Sequence, residues 1–164
     1  MKKLYLIGGT MGIGKTTVGK ILRDMLPNSV FLDGDWCWDM HPFVVNEETK
    51  AMVMDNICHL LQNFIGCSAF DNIIFGWVMH EQTIIDDILS KLDTSDCAVR
   101  CISLVCSGEA LTGRLQKDID AGLRAPDVTA RSLVRLPLYE RLDTVKVDVS
   151  EISARDAAEI ISRL

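Results

Sequence analysis

The chain has 164 residues, 48% of them hydrophobic, and a formal net charge of -6. Such a chain can bury one sizeable core and has no room for a second full domain, so we expect a single domain over residues 1–164. The acidic balance argues against a nucleic-acid binder, which usually presents a strongly basic face. No apolar run is long enough to cross a bilayer, and the N-terminal run is too short for a signal peptide. We therefore expect no membrane association and a cytoplasmic protein.

Cysteines are numerous for a chain of this length, but they do not follow the spacing of a disulfide scaffold or a zinc site. They occur within apolar helix or strand patterns. Free cysteine is among the most buried residue types, so we expect reduced thiols that mostly lie in the core. The six are Cys37, Cys58, Cys67, Cys97, Cys101 and Cys106.

Strand patterns and helix patterns alternate along the whole chain. The first half predicts a strand at 4–8, a helix at 15–26, a strand at 30–32, a helix starting at Asn46, and a strand at 73–78. The second half predicts a helix at 81–92, a strand at 98–106, a helix through 111–119, a short helix from Thr129 to near Pro137, a strand at 145–149 and a helix after Ser153.

Helical spacing also predicts which residues of two helices face the core. For the helix that follows Asn46, the predicted face is Val53, Ile57, Leu60 and Phe64. For the helix at 81–92, it is Ile84, Ile88 and Leu92.

Strands that are apolar throughout and separated by helices indicate a parallel sheet covered on both faces. We therefore predict an α/β fold of three layers, with a five-stranded parallel sheet and helices on both faces. Right-handed crossovers bring the carboxyl ends of such strands to one edge, where ligands bind in open sheets. Candidate site residues should follow the strands at that edge.

A phosphate-binding motif lies between the first predicted strand and the first helix. The segment Gly9-Thr10-Met11-Gly12-Ile13-Gly14-Lys15-Thr16 matches G-x-x-x-x-G-K-[ST] in the context that the pattern requires. Its glycines let backbone N–H groups surround phosphate oxygens, and the following helix points its positive end at the same anion. Lys15 is expected to reach the β- and γ-phosphates, and Thr16 to ligate Mg²⁺. We predict a P-loop NTPase fold that binds ATP and Mg²⁺ through this segment and Thr17.

The sequence resembles the small P-loop kinases of the nucleoside-monophosphate-kinase-like group, which include shikimate kinase, adenylylsulfate kinase and chloramphenicol phosphotransferase. Element order carries the resemblance over nearly the whole chain, and Leu32-Asp33-Gly34-Asp35 looks like the Leu-Asp-Gly-Asp segment of adenylylsulfate kinases. The resemblance implies that an aspartate here approaches the acceptor hydroxyl. We assign Asp35 as the base and Asp33 to magnesium or its waters. The reverse assignment and a simple turn are the alternatives.

The resemblance further implies a mobile lid after the fourth strand, whose arginines close over the phosphates. The matching region is 114–135. Arg124, in a Gly-Pro loop, is the predicted catalytic arginine, and Arg114 is expected near the adenine. Arg131 and Arg135 are one helical turn apart and share a face, and we place Arg131 at the substrate.

One feature of the broader P-loop pattern is missing. The third strand, Ile73-Ile74-Phe75-Gly76-Trp77, has no Walker-B aspartate at its end, so magnesium must depend on Thr16, waters and the strand-two aspartates. No Asn-Lys-x-Asp guanine motif occurs, which argues against a Ras-like GTPase.

The acceptor should bind where aromatic residues follow strands two and three at the ligand edge. We predict that Trp36, Trp38, Trp77 and His80 contact it beside Asp35 and Arg131. Aromatic walls favour a nucleoside or an antibiotic-like hydroxyl compound. Alternatively, the tryptophans are core residues and His80 is a structural group.

Three functions remain open from the sequence. The leading one is an ATP-dependent kinase, either a monomer or a homodimer, that phosphorylates a small-molecule acceptor. A nucleotide monophosphate kinase would need extra basic groups between Trp36 and Glu48, and that stretch has none. A nucleotide-binding regulatory module without turnover is the third.

Overall fold

Five short apolar segments pair into one parallel sheet in the computed structural model, which describes all residues from 1 to 164. The strands are β1 (Lys2–Gly8), β2 (Ser29–Asp33), β3 (Asn72–Gly76), β4 (Cys97–Val105) and β5 (Val145–Asp148). Their order across the sheet is β2-β3-β1-β4-β5. The phosphate-loop strand β1 is therefore central, and its neighbours β3 and β4 place their carboxyl ends beside that loop.

Helices occupy the connections between the strands, as the alternating pattern predicts. They are α1 (Lys15–Met25), α2 (Glu47–Gly66), α3 (Gln82–Ser90), α4 (Gly108–Asp120), α5 (Val128–Arg135) and α6 (Ala154–Ser162). Two 3₁₀ helices, Gly34–Trp38 and Leu136–Arg141, follow β2 and α5. Asn46 and Ser153 begin α2 and α6 with reciprocal side-chain capping bonds, so both predicted start sites are confirmed.

The core lies on both faces of the sheet. One cluster of 17 buried residues packs with α1, α4 and α6, and a second cluster of 16 packs with α2 and α3. All five residues of β3 are buried. Because both faces are covered to a similar extent, the predicted three-layer α/β architecture is confirmed.

The predicted core faces of α2 and α3 are confirmed in part, because two predicted residues of each face are buried and the others are only partly buried. In α2 the buried stripe runs through Val53, Ile57 and Leu61, and the predicted Leu60 and Phe64 are only partly buried. The buried residues are spaced four apart because α2 packs on the sheet along that row of side chains. Apolar residues of α2 also occur at other spacings, so the sequence alone does not show which row is buried. In α3, likewise, Ile85 is buried and Ile84 is only partly covered.

The cysteines are free, as expected, but they are less buried than predicted. Only Cys58 is fully buried, and the other five are partly exposed at the edges of the core. Burial nevertheless raises the thiol pKa of five of them, which keeps these groups protonated and weakly nucleophilic. These five are Cys37, Cys58, Cys97, Cys101 and Cys106.

None of the six helices combines the length and the hydropathy that a membrane span requires.

Gly34 determines how closely the segment after β2 packs on the end of β3. A Cβ atom at this position would lie 2.4 Å from Cγ of Trp77, well inside contact distance. We therefore expect Gly34→Ala to destabilise the protein by about 1–3 kcal/mol through overpacking. Denaturant unfolding measures this change. Gly113→Ala is the matched control, because nothing lies within 4 Å of a Cβ there, and it should stabilise α4 by about 0.5–1 kcal/mol.

Candidate active site

The phosphate loop turns sharply between β1 and α1 and leaves the first turn of the helix open. Gly12 and Gly14 have φ values of 80° and 112°, in the left-handed region that side chains disfavour. Gly14 is the N-cap of α1 and, being glycine, supplies no side-chain capping bond. The N–H groups of the first turn are therefore available to an anion at the positive end of the helix dipole.

Two polar side chains of α1 are tied to groups around the loop. The Lys15 ammonium donates to the Thr10 carbonyl at 3.0 Å. The Thr16 hydroxyl donates to Oδ2 of Asp33 at 2.5 Å, and the other oxygen of Asp33 accepts from the Asp35 backbone N–H at 3.0 Å. Asp33 is only 7% exposed, so it acts as a fixed bridge between the loop and the segment after β2.

The hydroxyl of Thr16 and the carboxylate of Asp33 are the oxygen donors that suit Mg²⁺. No group of three or more His, Cys, Asp or Glu side chains could hold a metal ion. Mg²⁺ usually keeps several waters and binds through one or two carboxylates together with substrate phosphates, so this sparse donor set fits a nucleotide-dependent magnesium site.

Lys15 is buried near two carboxylates and two arginines. Burial lowers its pKa to about 8, with a further contribution from the charges of Arg124 and Arg135, whereas Asp35 and Asp33 oppose the shift. With a pKa of about 8, Lys15 begins to lose its proton just above neutral pH. An anion placed in the loop would stabilise the charged form.

Nucleotide binding should consequently be linked to proton uptake by Lys15. Above about pH 8 the free lysine is increasingly neutral, and bound phosphates return its charge. We expect affinity for Mg·ATP to fall between pH 8 and 10, by at most about tenfold per pH unit. Calorimetry at pH 8.5 in buffers of different ionisation enthalpy measures the uptake.

Lys15→Arg tests this linkage, because arginine stays charged throughout the range and should abolish the uptake. Lys20→Arg, at an exposed position of the same helix, should leave it unchanged. Equal uptake in the wild type and in Lys15→Arg would show that another group titrates.

The pKa of the Asp35 carboxyl is shifted in the opposite direction, upward. Burial and the neighbouring charge of Asp33 raise the pKa of its carboxyl, and this rise is partly offset by Lys15, by Arg124 and by a hydrogen bond from the side chain of Trp77. A carboxylate with a raised pKa accepts a proton more readily than an ordinary surface aspartate. Its position and its basicity both suit a general base.

Two cavities open at the carboxyl edge of the sheet. The first has a volume of about 380 Å³ and is formed by residues 11–18 of the phosphate loop and α1, with Arg114, Val149 and Ile152 opposite. Arg114 is held there by hydrogen bonds to the carbonyls of Val149 and Ile13. This geometry suits the phosphates and base of a nucleotide.

The second cavity is larger, about 880 Å³, and has a mixed lining. Its apolar wall includes Trp36, Trp38, Phe43 and Trp77. The residues that follow β2 and β3 thus enclose one space, as their strand-end positions predict. Trp36 itself is 54% exposed, so it lies at the rim and not in the core.

The two cavities share part of their walls. Met11, Asp35, Val78 and Arg124 line both of them. Any group passing from a nucleotide in the first cavity to a molecule in the second would cross the boundary where Asp35 and Arg124 stand. Arg124 is held there by an ion pair with Asp118, at 2.9 Å.

Most of the predicted site residues lie on these walls, but Gly9, Thr10 and Asp33 do not. The Thr10 side chain is fully buried and bonds with Ser132 of α5. Arg131 lines the second cavity and is paired with Asp127 at 3.1 Å. His80 also lines it; Nδ1 of its ring is buried without a hydrogen-bond partner.

Two cations of the second cavity are absent from the predicted site. Lys50 comes from α2, and Arg135 comes from the end of α5. Arg135 forms no salt bridge, whereas Lys50 is paired with Glu47. The four-residue spacing from Arg131 could have indicated that Arg135 lies in the same cavity. Nothing in the sequence around Lys50 indicates that it lies there.

A glycine loop lies between the central strand and α1, at the edge of the sheet where both cavities open. This arrangement defines a P-loop nucleotide-binding protein. A family model described as an AAA domain matches residues 6–126, and the chain belongs to that family.

Individual known proteins are similar over nearly the full length. Shikimate kinase from Thermobifida fusca (strain YX) is 26% identical over 175 residues, covering 99% of this chain and 94% of that protein. The Deinococcus radiodurans tunicamycin resistance protein superposes with a TM-score of 0.73 at 18% identity, over 99% of this chain and 95% of that one. A sugar kinase from Janibacter sp. HTCC2649 superposes with a TM-score of 0.72 at 14% identity, over 99% of this chain and 94% of that one. These similarities confirm the predicted fold.

Proposed function

We propose that this protein is an ATP-dependent kinase that transfers a phosphoryl group to a small molecule. The observation that carries the proposal is the shared wall, because it places Asp35 and Arg124 between a phosphate-loop cavity and a larger cavity beside it. The similarity to a shikimate kinase and a sugar kinase supports the same reaction class. Free thiols and ATP use are consistent with a cytoplasmic location, which we also propose.

The chemistry follows from the positions of the side chains. A hydroxyl of the acceptor, bound in the second cavity, would give its proton to Asp35 while its oxygen bonds to the γ-phosphorus of ATP. The bond from that phosphorus to the bridging oxygen breaks, and ADP leaves. Lys15 and Arg124 would stabilise the charge on the transferring group. Mg²⁺, held by Thr16, Asp33 and water, would neutralise charge on the phosphates when bound.

The lining of the second cavity indicates the type of acceptor. Its aromatic wall suits an apolar or flat face, and Lys50, Arg131 and Arg135 add positive charge. Arg135 has no protein carboxylate to neutralise it. We therefore propose an acceptor that combines a hydroxyl, an apolar face and an anionic group.

The same cations favour a second candidate, a kinase whose acceptor is a nucleotide monophosphate. The sequence argument against it was the absence of basic groups between Trp36 and Glu48. The structure supplies them from α2 and α5 instead. A phosphate acceptor and a hydroxyl acceptor therefore both fit the charge of the cavity.

A coupled assay of Mg·ATP consumption tests the proposal. The panel would hold hydroxy acids, sugar acids, nucleosides, nucleotide monophosphates and hydroxylated antibiotics. We expect an anionic hydroxyl compound to stimulate turnover, and Lys15→Ala to abolish it. Stimulation by nucleotide monophosphates alone would establish the second candidate. Tight ATP binding without stimulation by any compound would favour a regulatory module.

Arg135 should determine acceptor affinity. Losing one hydrogen bond to a charged group typically weakens binding by about 1.5–3 kcal/mol, so Arg135→Gln should raise KM for an anionic acceptor by about 10- to 100-fold. Steady-state kinetics at saturating Mg·ATP measures the effect. Arg141→Gln, at an exposed site after the same helix, is the control and should leave KM unchanged. An unaltered KM in Arg135→Gln would remove the anionic group from the proposal.

A further inference from the structure

A buried pair of hydroxyl groups connects the phosphate loop to helix α5. Thr10 of the loop and Ser132 of α5 both have 0% exposure. The Thr10 hydroxyl lies 2.8 Å from the Ser132 carbonyl, and the two hydroxyl oxygens lie 2.9 Å apart. The Ser132 hydroxyl lies 2.5 Å from the Met11 carbonyl.

The protons of this network can be assigned by counting, because each hydroxyl carries one. Thr10 donates to the Ser132 carbonyl, and Ser132 donates to the Met11 carbonyl, so both protons are used between the two elements. None of these bonds serves the local capping or turn roles that usually explain Thr and Ser beside a helix. The pair is therefore a long-range connection between residues 122 positions apart.

Each end of this connection lies next to residues that line a cavity. Met11, whose carbonyl accepts from Ser132, lines both cavities at their boundary. Ser132 lies between Arg131 and Arg135, the two arginines of α5 that line the second cavity. A change in the conformation of the loop would thus be transmitted to the helix that carries these cations.

We propose that Ser132 is a positioning residue that fixes α5 to the phosphate loop, so that nucleotide binding in the first cavity orders the arginines of the second. The inference depends on the proposed nucleotide site, but it does not require turnover. Buried, fully satisfied hydroxyl networks hold one geometry because breaking them leaves unpaired polar groups away from water. By reciprocity, an acceptor that orders α5 also tightens nucleotide binding.

The connection between Thr10 and Ser132 also limits which part of the predicted lid can move. The predicted lid spans 114–135, but α5 is anchored to the loop at Ser132, and α4 ends with backbone bonds from Ala121, Gly122 and Leu123 back to the helix. The part free to close over the phosphates is then the connection between these anchors, at 124–127, which carries Arg124. Arg131 and Arg135 lie on α5, outside this connection.

Hydrogen exchange of the full chain tests the proposal, with Mg²⁺ and a non-hydrolysable ATP analogue as the probe. In the wild type we expect the analogue to slow amide exchange both in the phosphate loop, residues 9–17, and in α5. In Ser132→Ala the loop should still be protected, whereas the additional protection of α5 should fall by about fivefold or more. Ser103→Ala is the matched control, because it removes a buried hydroxyl bonded to Thr144 at 2.7 Å, and α5 should respond as in the wild type.

A second pair of variants covers the case in which Ser132→Ala does not fold. Thr10→Val keeps the shape of the side chain without its hydroxyl and should reproduce the loss in α5, and Thr10→Ser restores the hydroxyl and should rescue it. Equal protection of α5 in the wild type, Thr10→Val and any folded Ser132→Ala would overturn the inference. An unprotected loop in the wild type would instead show that the proposed nucleotide site is wrong.

Discussion

Asp35→Asn is expected to lower kcat by about 10²–10⁴-fold, the usual contribution of a positioned general base. Asparagine keeps the size and polarity of the side chain, but it cannot accept the proton of an acceptor hydroxyl. Nucleotide affinity should be retained, because the phosphate loop, Lys15 and Thr16 are unchanged. Measuring kcat together with the Kd of Mg·ATP separates the two effects.

Asp39→Asn is the matched control for this experiment. Asp39 also lines the second cavity, but it does not line the first. Its replacement should change kcat by less than about twofold. Asp35→Asn with wild-type turnover would assign the base elsewhere, and Asp33 is the other carboxylate at this strand end.

Arg124→Gln should also reduce kcat strongly, by about 10³-fold or more. An arginine that neutralises the charge of a transferring phosphoryl group contributes about 10³–10⁵ in phosphoryl-transfer enzymes. Arg124 lies at the boundary of both cavities and is the arginine of the Gly-Pro loop. Rapid single-turnover kinetics, which isolates the transfer step from product release, measures the loss.

The ion pair with Asp118 provides a further variant. Both side chains are about one-third exposed, and a surface pair of this kind contributes only about 0–1 kcal/mol to stability. Asp118→Asn should therefore leave the unfolding free energy nearly unchanged. Arg155→Gln, which breaks a comparable exposed pair with Glu159, controls for loss of a surface arginine and should not affect transfer. A kcat in Arg124→Gln within tenfold of the wild type would remove Arg124 from the catalytic role.

Local sequence indicated which segments lie at the centre of the candidate site. The loop at Gly9 to Thr16 follows β1, and the aspartates stand at the end of β2. A parallel sheet brings the carboxyl ends of its strands to one edge, so these residues lie close together. The bond from Thr16 to Asp33 is a direct result of that arrangement. Helix start sites were predicted equally well, because Asn46 and Ser153 act through neighbours only three residues away.

Features that depend on how helices pack on the sheet were not accessible to the same reasoning. Lys50 reaches the second cavity from an element remote in sequence, and only the packing of α2 shows that it lies there. Thr10 looks like a loop position open to a ligand, yet its hydroxyl is committed to Ser132. The same origin explains why Leu60, Phe64 and Ile84 are less buried than predicted, since periodicity gives the spacing of a face but not its centre.

The segments that enclose the two cavities are largely separate stretches of chain. The first is built from the loop, α1, α4 and the region after β5, whereas the apolar wall of the second comes from residues 36–45 and from 77–84. In a kinase of the proposed kind, substitutions in those two stretches, apart from Val78, would change the acceptor site without changing the residues that line the first cavity. Such a division makes the scaffold a practical starting point for directed evolution of phosphorylation specificity.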